Sequence, residues 1–244
     1  TKLLLSKNNL VKDTSKNVLM IEFDPIRFQS FFEQMPKPSI NFFVYNRRKP
    51  AFWNLQGFNL IRQSKCIVET QNSLSDTSFK KIVSDGKLQM ETKILNLFSE
   101  ESFFKSFFSI GGVSFWPTFK SFFQKFLRKR VFEFIAEIEL TKKLMEKYHF
   151  SSILILSEAG SNEKIALQLA HQRQIPVCLV QHGINYNTKE SYDMNVARGA
   201  LPIKSDHFLC WGKIGEEFSQ SMGINVEKVH SIGSPIFDRL RFDE

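Results

Sequence analysis

Short runs of consecutive apolar residues alternate along this chain with amphipathic stretches. The apolar runs predict strands buried on both faces, at residues 17–23, 40–45, 65–69, 152–157, 175–181, 206–210 and 228–232. Apolar residues at steps of three and four predict helices between several of them, at residues 26–35, 163–173 and 214–222. Strands that alternate with helices favour a parallel sheet with right-handed crossovers. We therefore predict an α/β fold, a Rossmann-like parallel sheet flanked by helices.

The middle of the chain has a different pattern. Residues 73–110 are predicted as helices with loops between them, Gly111-Gly112 is a break, and residues 117–148 follow a helical period. We predict one Rossmann-like domain over residues 1–244 with a long helical insertion at about 73–148. Its parts are a first βαβ part (1–70), a mainly helical, basic and Phe-rich part (71–148) and a second βα part (149–244). Residues 184–204 show no period and are predicted as a polar loop.

Charge and phenylalanine are concentrated in the first part of the chain. Residues 1–150 carry 24 Lys and Arg against 14 Asp and Glu, and 22 of the 26 phenylalanines, whereas residues 151–244 carry 9 cations and 11 acids. A basic, Phe-rich stretch suits an anionic partner such as a membrane surface, a phosphorylated lipid or a polyanion. A solvated basic face, encoded by an AT-rich genome, explains the same composition, so both interpretations stay open.

Several classes of protein are not favoured. Cys66, Cys178 and Cys210 lie in apolar runs without CxxC spacing, which predicts buried free thiols in a reducing, cytoplasmic compartment and no metal site. The apolar runs are too short for a membrane-spanning helix or a signal peptide. Nucleic-acid binding would depend on charge alone, because the phenylalanines recur at helical spacing and are better explained as core.

The triplet Gln181-His182-Gly183 follows a predicted buried strand. Ligands of open α/β sheets bind outside the carboxyl ends of the strands, and a histidine there can take or give a proton near neutral pH. We predict that His182 is a general base or positions a phosphate or hydroxyl, with Gln181 and Gly183 beside the substrate. The alternative is a histidine that is bonded to the backbone of its own turn.

A second candidate is the turn between the strand at 152–157 and the next helix. It contains Glu158, Gly160, Ser161 and Asn162. The free N–H groups and dipole of a helix N-terminus favour an acceptor or phosphate pocket, with Glu158 as base or sugar-hydroxyl ligand and Ser161 or Asn162 as cap. The alternative is an ordinary capped βα turn. The turn is neither GxGxxG nor a P-loop, so a dinucleotide or ATP site is not favoured.

Two further turns follow predicted strands at the same edge. Trp211-Gly212 offers a ring that stacks on a sugar or packs against a helix. The second turn contains Gly233, Ser234 and Pro235. Its backbone either approaches a ligand closely or forms a tight turn from strand to helix. We predict that all four turns lie along one edge of the sheet and contact substrate. No GxSxG elbow is present, so nucleophilic catalysis is weakly supported.

Taken in order, the segments SEAGSNEK, PVCLVQHGI, SDHFLCWG and IGSPIFD resemble the N-terminal half of GT-B-fold glycosyltransferases of surface-polysaccharide synthesis. The resemblance is to the CDP-glycerol glycerophosphotransferases of teichoic-acid synthesis, the retaining Kdo transferases of capsule synthesis and the UDP-GlcNAc 2-epimerase-like group. It covers residues 151–240, and residues 1–110 match only as generic strands and helices. It implies His182 as the catalytic base and places Gly233 to Asp238 near the passage into a second domain.

The resemblance implies the acceptor-binding half of a glycosyl- or glycerophosphotransferase. A nucleotide-sugar or CDP-alcohol donor would bind a C-terminal domain that the sequence, ending at Glu244, does not include, and this chain alone would then be inactive. Expected partners are a glycan or lipid-linked acceptor, and residues 103–130 suit peripheral contact with the inner face of an anionic membrane. The alternative is a non-catalytic Rossmann-like module that binds a glycan or phosphorylated ligand.

Overall fold

The computed structural model describes residues 16–35, 39–183 and 191–237. Within them, seven strands form one parallel sheet and two short strands form an antiparallel hairpin. The strands are β1 (Lys16–Ile21), β2 (Ile40–Tyr45), β3 (Ile67–Glu69), β4 (Ser109–Ile110), β5 (Val113–Ser114), β6 (Ser152–Ile155), β7 (Val177–Val180), β8 (His207–Cys210) and β9 (Val229–Ser231).

Helices connect most of these strands. They are α1 (Gln29–Gln34), α2 (Leu55–Ser64), α3 (Gln71–Leu74), α4 (Thr77–Ser99), α5 (Glu101–Phe107), α6 (Trp116–Lys147), α7 (Ser161–Gln172), α8 (Ser191–Ala197) and α9 (Gly212–Ser221), with a 3₁₀ turn at Val226–Lys228. No helix in the described part of the chain combines the length and the apolar character that crossing a membrane requires.

The order of strands in the large sheet is β3-β2-β1-β6-β7-β8-β9. Every neighbouring pair is parallel, with Leu19 opposite Phe43 and Cys178 opposite His207 as examples of the register. The chain moves outward from β1 to β3 and returns to β6 beside β1, so the order reverses between β1 and β6. Such a reversal opens a crevice at the carboxyl ends of the two strands, where open α/β sheets bind ligands. The predicted Rossmann-like fold is confirmed.

Both faces of the sheet are buried, as the continuous apolar runs predicted. Met20, Val44 and Leu154 belong to a core cluster on one face, together with apolar side chains of α1 and α2. Residues one position along the same strands point the opposite way, and there Phe43 packs its ring 4.4 Å from that of Tyr148, centroid to centroid. A parallel sheet needs such cover on both sides, because unlike an antiparallel sheet it rarely leaves one face in water.

The chain divides into two compact units. The first holds the sheet, with the chain up to Ser73 and from Leu144 onward; the second is residues Leu74–Lys143. The second unit has its own core, in which Trp116 is fully buried and its ring stacks on Phe104 at 4.5 Å between centroids. This unit lies within the helical insertion predicted at 73–148. The grouping of both units into one domain stays a prediction.

Two local expectations were wrong. Part of the loop predicted at 184–204 is helix α8, while residues 184–190 lie outside the described residues. The helix predicted from residue 26 begins at Gln29, because the Asp24 carboxylate accepts the Ile26 N–H at 2.9 Å and forms a turn first. The break predicted at Gly111-Gly112 is present as the turn of the β4–β5 hairpin, with both glycines at positive φ.

Candidate functional site

The candidate site lies at the carboxyl edge of the sheet. Because the seven strands are parallel, the residues that follow each strand share this edge. Glu22 follows β1 and Arg48 lies in the loop after β2, while the four turns predicted from the sequence follow β6, β7, β8 and β9. The polar groups at the crevice between β1 and β6 form one network, and we call it the switch-point network: Glu22, Arg48, Asn162 and Glu163.

Glu22 is the organising residue of the network. Its backbone has a left-handed φ of 62°, which costs a non-glycine residue about 1–2 kcal/mol. Its Oε1 accepts three hydrogen bonds, from the N–H groups of Arg47 (2.9 Å) and Arg48 (3.1 Å) and from Nδ2 of Asn162 (2.8 Å). One carboxylate thus ties the ends of β1 and β2 to the first turn of α7. A strained residue that is held in place this way is typical of functional sites.

Arg48 and Glu163 form an ion pair inside the network. The guanidinium contacts the Glu163 carboxylate and also lies 3.5 Å from Oε2 of Glu22, Nε to oxygen. The Glu163 side chain is 0 % exposed, whereas that of Arg48 is 54 % exposed. The pair therefore joins a fully buried acid to a cation that faces water.

Glu163 is unusually enclosed. Its Oε2 has no hydrogen-bond partner among the described residues, although it is buried. Burial raises the pKa of the Glu163 carboxyl; the charge of Glu22 raises it further, while the backbone N–H of Glu163 and the Arg48 guanidinium oppose the rise. The carboxylate folds back over the helix start, where a Cβ on residue 160 would stand 2.1 Å from Oε2. A side chain at position 160 would displace this carboxylate, and glycine leaves it room.

His182 stands at the end of β7, in the turn predicted to carry the chemistry. Its backbone carbonyl accepts a hydrogen bond from the Arg27 guanidinium. Burial lowers the pKa of the imidazole, and the positive charges of Arg27 and Arg48 lower it further, against a hydrogen bond to the Val180 backbone that raises it. The lowered pKa favours the neutral form of the imidazole at pH 7. A neutral imidazole that experiences the charges of two arginines can accept a proton beside a bound anion.

Gln181, predicted to contact substrate, links the turns of the edge to one another. Its Oε1 accepts the backbone N–H of Trp211 at 2.7 Å, and its Nε2 donates to the Gly183 carbonyl at 3.0 Å. The side chain is buried. These contacts fix the turns after β7 and β8 against each other, so Gln181 positions the His182 turn from within the protein.

Glu158 also uses its carboxylate within the protein. Its Oε1 accepts the Ser205 N–H at 2.6 Å, and both oxygens lie within 3.1 Å of the Lys204 N–H. Its own N–H donates to the Gly199 carbonyl at 2.9 Å. The role of Glu158 as a base stays a prediction, but these contacts favour a different role, that of holding the 199–205 segment against the β6 turn.

The capping predicted for α7 was wrong. The N-cap is Gly160, and no side chain forms the N-cap hydrogen bond expected of Ser161 or Asn162. Asn162 turns its amide to Glu22 instead. Ser161 is the first helical residue, and the space that an N-cap side chain would fill is taken by Glu163. The helix start is thus partly screened by its own carboxylate, which makes it a weaker anion site than we expected.

The remaining predicted residues lie at the edge but show no common contact within the described part of the chain. A Cβ on Gly183, Gly212 or Gly233 would meet nothing there within 4 Å, and Gly212 and Gly233 have positive φ values of 65° and 80°. Trp211 packs edge-on against Phe237, with centroids 5.4 Å apart. The ring therefore has a packing partner in the turn after β9, whereas the alternative interpretation expected packing against a helix.

The last turn at this edge ends close to the limit of the described chain. Ser234 has a buried hydroxyl without a hydrogen-bond partner among the described residues, and Pro235 lies in the turn that follows. Asp238, the last residue of the IGSPIFD segment, lies outside the described residues. The substrate-contacting roles of these residues stay predictions.

The sequence did not point to four charged residues of the site: Glu22, Arg27, Arg48 and Glu163. Their signals are present in the sequence. Arg47-Arg48 closely follows the apolar run at 40–45, and Glu22 lies near the end of the run at 17–23. In a parallel sheet, both sites fall at the ligand-binding edge. Among the described residues, no group of three or more His, Cys, Asp or Glu is arranged to hold a metal ion.

No protein-family model matches the sequence, and no curated protein matches it. Solved structures of UDP-GlcNAc 2-epimerases are similar in fold. The enzyme from Neisseria meningitidis bound to UDP-GlcNAc has a TM-score of 0.48 at 11 % identity, over 92 % of this chain and 48 % of that one. The enzyme from Rickettsia bellii has a TM-score of 0.46 at 11 % identity, over 94 % of this chain and 50 % of that one.

The chain thus spans about half the length of these structures. The UDP-GlcNAc 2-epimerases have the GT-B fold and are one of the groups that the sequence motifs resemble. At such scores and identities, the likeness gives no information on what this chain binds. The Rossmann-like fold is established by the chain's own strand order.

Proposed function

We propose that this chain is the acceptor-binding half of a GT-B glycosyl- or glycerophosphotransferase of surface-polysaccharide or glycoconjugate synthesis. One observation carries the proposal: His182 stands at the carboxyl edge of the sheet, where the Arg27 guanidinium binds its carbonyl and the charges of Arg27 and Arg48 lower the pKa of its imidazole. This combination suits an acceptor that bears both a hydroxyl and an anionic group. The motif resemblance around residues 181–183 agrees with it.

In the proposed reaction, His182 accepts the proton of the acceptor hydroxyl. The acceptor oxygen then attacks the anomeric carbon of a nucleotide-sugar, and the bond from that carbon to the nucleoside diphosphate breaks. With a CDP-alcohol donor, the oxygen attacks the β-phosphorus and CMP leaves. The donor would be held by a further domain, so this chain supplies the base and the anion site. The cations of the site hold the acceptor phosphate near the imidazole.

The switch-point network prepares this site before substrate binds. Glu22 and Glu163 hold the Arg48 guanidinium from the protein side, and its other side faces water. Arg27 is exposed and anchored to the His182 carbonyl. Preorganised cations need little rearrangement when an anion arrives, which is the general source of electrostatic catalysis. In this proposal Glu22 and Glu163 are positioning residues.

The proposal is tested by turnover of the full-length protein that contains this chain, with nucleotide-sugar and CDP-alcohol donors and phosphorylated acceptors. His182→Ala is expected to lower turnover by about 10²–10⁴-fold, because the general base is lost. His149→Ala is the control, since His149 is exposed and follows α6 on the amino-terminal side of β6. Turnover that is unchanged in His182→Ala would exclude the role as base.

The pH dependence gives a second readout. A base with a lowered pKa is active down to a pH below the usual 6.5 of histidine. The value of kcat/KM, which reports the pKa of the free protein, should therefore fall only below pH 6.5. Arg27→Gln removes a charge that lowers the pKa of His182, so the acid limb of the profile should move to higher pH. Ligand binding without turnover under any donor would favour the non-catalytic module instead.

A further inference from the structure

The second unit carries a continuous row of aromatic rings at its surface. Each ring centroid lies within 6.3 Å of the next, from α5 through the hairpin region into the first half of α6. We call this row the aromatic stripe: Phe103, Phe107, Phe108, Phe115, Phe119, Phe122 and Phe126. Phe107 is 69 % exposed and Phe122 is 63 % exposed, and Phe103 and Phe126 are more than half exposed.

The β4–β5 hairpin extends the stripe with an apolar tip. Ile110 is 77 % exposed and Val113 is 72 % exposed, and they flank Gly111-Gly112. No described residue lies within 4 Å of where side chains on these glycines would begin. A β-turn with two apolar side chains projecting into water buries nothing of its own, so the tip does not contribute to the core of the unit.

The core of the unit is complete without the stripe's exposed rings. Trp116, Phe104 and Phe98 are buried and pack on one another. Monomeric soluble proteins rarely expose an apolar patch this continuous, and such patches mark interaction sites. The exposed rings therefore need an external partner, whose chemistry is indicated by the charges around them.

Cations outnumber acids around the stripe. Residues 101–130 contain six Lys and Arg and a single acid, Glu101, while Glu91 and Glu133 pair with Arg128 and Arg130. Lys125 lies between the exposed Phe122 and Phe126 and forms none of the ion pairs found within the described residues. Lys129 is 4.0 Å from its nearest carboxylate, Nζ to oxygen. Protein–protein interfaces are depleted of lysine at their core, whereas Phe interspersed with Lys and Arg suits anionic headgroups over acyl chains.

We propose that the hairpin tip and the aromatic stripe insert into the surface of an anionic lipid bilayer. Ile110, Val113 and the exposed rings enter the boundary between headgroups and acyl chains, and Lys125, Lys129 and their neighbours bind the headgroup phosphates. This is peripheral binding, since the depth reached by a hairpin tip and one row of rings is that of the interface alone. The inference does not depend on the proposed transferase activity.

Vesicle co-sedimentation tests the proposal with phosphatidylcholine vesicles with and without phosphatidylglycerol. The protein is expected to bind the phosphatidylglycerol vesicles at low salt and to bind more weakly at high salt, because the headgroup attraction is screened. The double variant Ile110→Asp/Val113→Asp should bind at least about tenfold more weakly, since it loses the two apolar side chains that would enter the bilayer. Ile214→Asp/Val226→Asp is the matched control, because both are exposed apolar residues of the first unit, and it should bind as the wild type does. Wild-type-like binding by the double variant would overturn the proposal.

Charge reversal separates the local patch from net charge. Lys125→Glu/Lys129→Glu should weaken binding to phosphatidylglycerol vesicles about tenfold or more. Lys164→Glu/Lys213→Glu changes the net charge equally on the first unit, where both lysines are exposed. Equal losses in the two double variants would mean that net charge, and not the stripe, drives binding, and would overturn the proposal.

Ile110→Trp tests insertion without removing the apolar side chain at the hairpin tip, because tryptophan is itself apolar and fluorescent. Its fluorescence should shift to the blue on adding phosphatidylglycerol vesicles and be quenched by lipids brominated in the acyl chain. An unshifted spectrum would overturn the proposal. So would self-association in sedimentation velocity that Ile110→Asp/Val113→Asp abolishes, since a second copy of the chain would then cover the stripe.

Discussion

The carboxyl edge of the sheet and the aromatic stripe depart from ordinary protein surfaces in opposite ways. At the edge, acids are buried: the Glu163 side chain is fully enclosed and Glu22 nearly so, and both contact a single half-exposed arginine. On the stripe, rings are exposed next to lysines. Departures from the rule of apolar inside and polar outside concentrate at functional sites. The first unit therefore has charged groups held in place by hydrogen bonds and ion pairs, and the second unit has apolar rings exposed to water.

The largest expected difference in stability is between a glycine substitution at the carboxyl edge and one at the hairpin. Gly199 has a φ of 65°, and a Cβ there would stand 2.1 Å from the backbone nitrogen of Ala159. Gly199→Ala should therefore lower the free energy of unfolding by about 4 kcal/mol or more, through clash and strain together. Gly112→Ala at the hairpin has open space and only the strain of positive φ, about 1–2 kcal/mol. Urea denaturation followed by circular dichroism measures both, and equal losses would contradict the close packing at the edge.

The next largest difference in stability is expected when an arginine is removed from an ion pair in each of the two units. Arg48→Ala leaves two enclosed carboxylates without their cation, and we expect a loss of about 2–3 kcal/mol in unfolding free energy, less than for a fully buried pair because Arg48 is half-exposed. Arg128→Ala in the second unit removes a partner of the more exposed Glu91, at 2.7 Å from nitrogen to oxygen. Its loss should be about 1 kcal/mol or less. A larger loss in Arg128→Ala would reverse the order of the two regions.

The smallest effect is a dependence of stability on pH. The pKa of Glu163 is raised above its usual value of 4.5, so the folded state binds a proton that the unfolded state releases. The stability contributed by this group is fully present below pH 4.5 and is lost as pH rises through the folded-state pKa. Glu163→Gln should flatten that fall, because the glutamine side chain does not titrate. The slope of unfolding free energy against pH in the two proteins measures it, and parallel slopes would show that Glu163 ionises normally.

The sequence was sufficient to predict the sheet and the residues at its carboxyl edge, because buried parallel strands are continuous apolar runs. It also located His182, since a residue directly after such a run falls at the carboxyl edge. It could not supply Arg48 as the partner of Glu163 or Glu22 as the partner of Asn162. The members of each pair are separated by 115 positions or more and meet only through the strand order. The contacts of Glu158 were out of reach for the same reason: its partners, Lys204 and Ser205, lie at the end of a segment predicted as loop.

The most direct test of the anion site is an NMR titration of the His182 imidazole with and without glycerol 3-phosphate. We predict a pKa below 6.5 in the free protein, and a rise on binding because the phosphate offsets the charges of Arg27 and Arg48. The exposed His149 should be unaffected, and Arg27→Gln should weaken the effect. A His182 pKa of 6.5 or above in the free protein, or imidazole signals that do not respond to saturating ligand, would contradict the assignment of this edge as the anion-binding site.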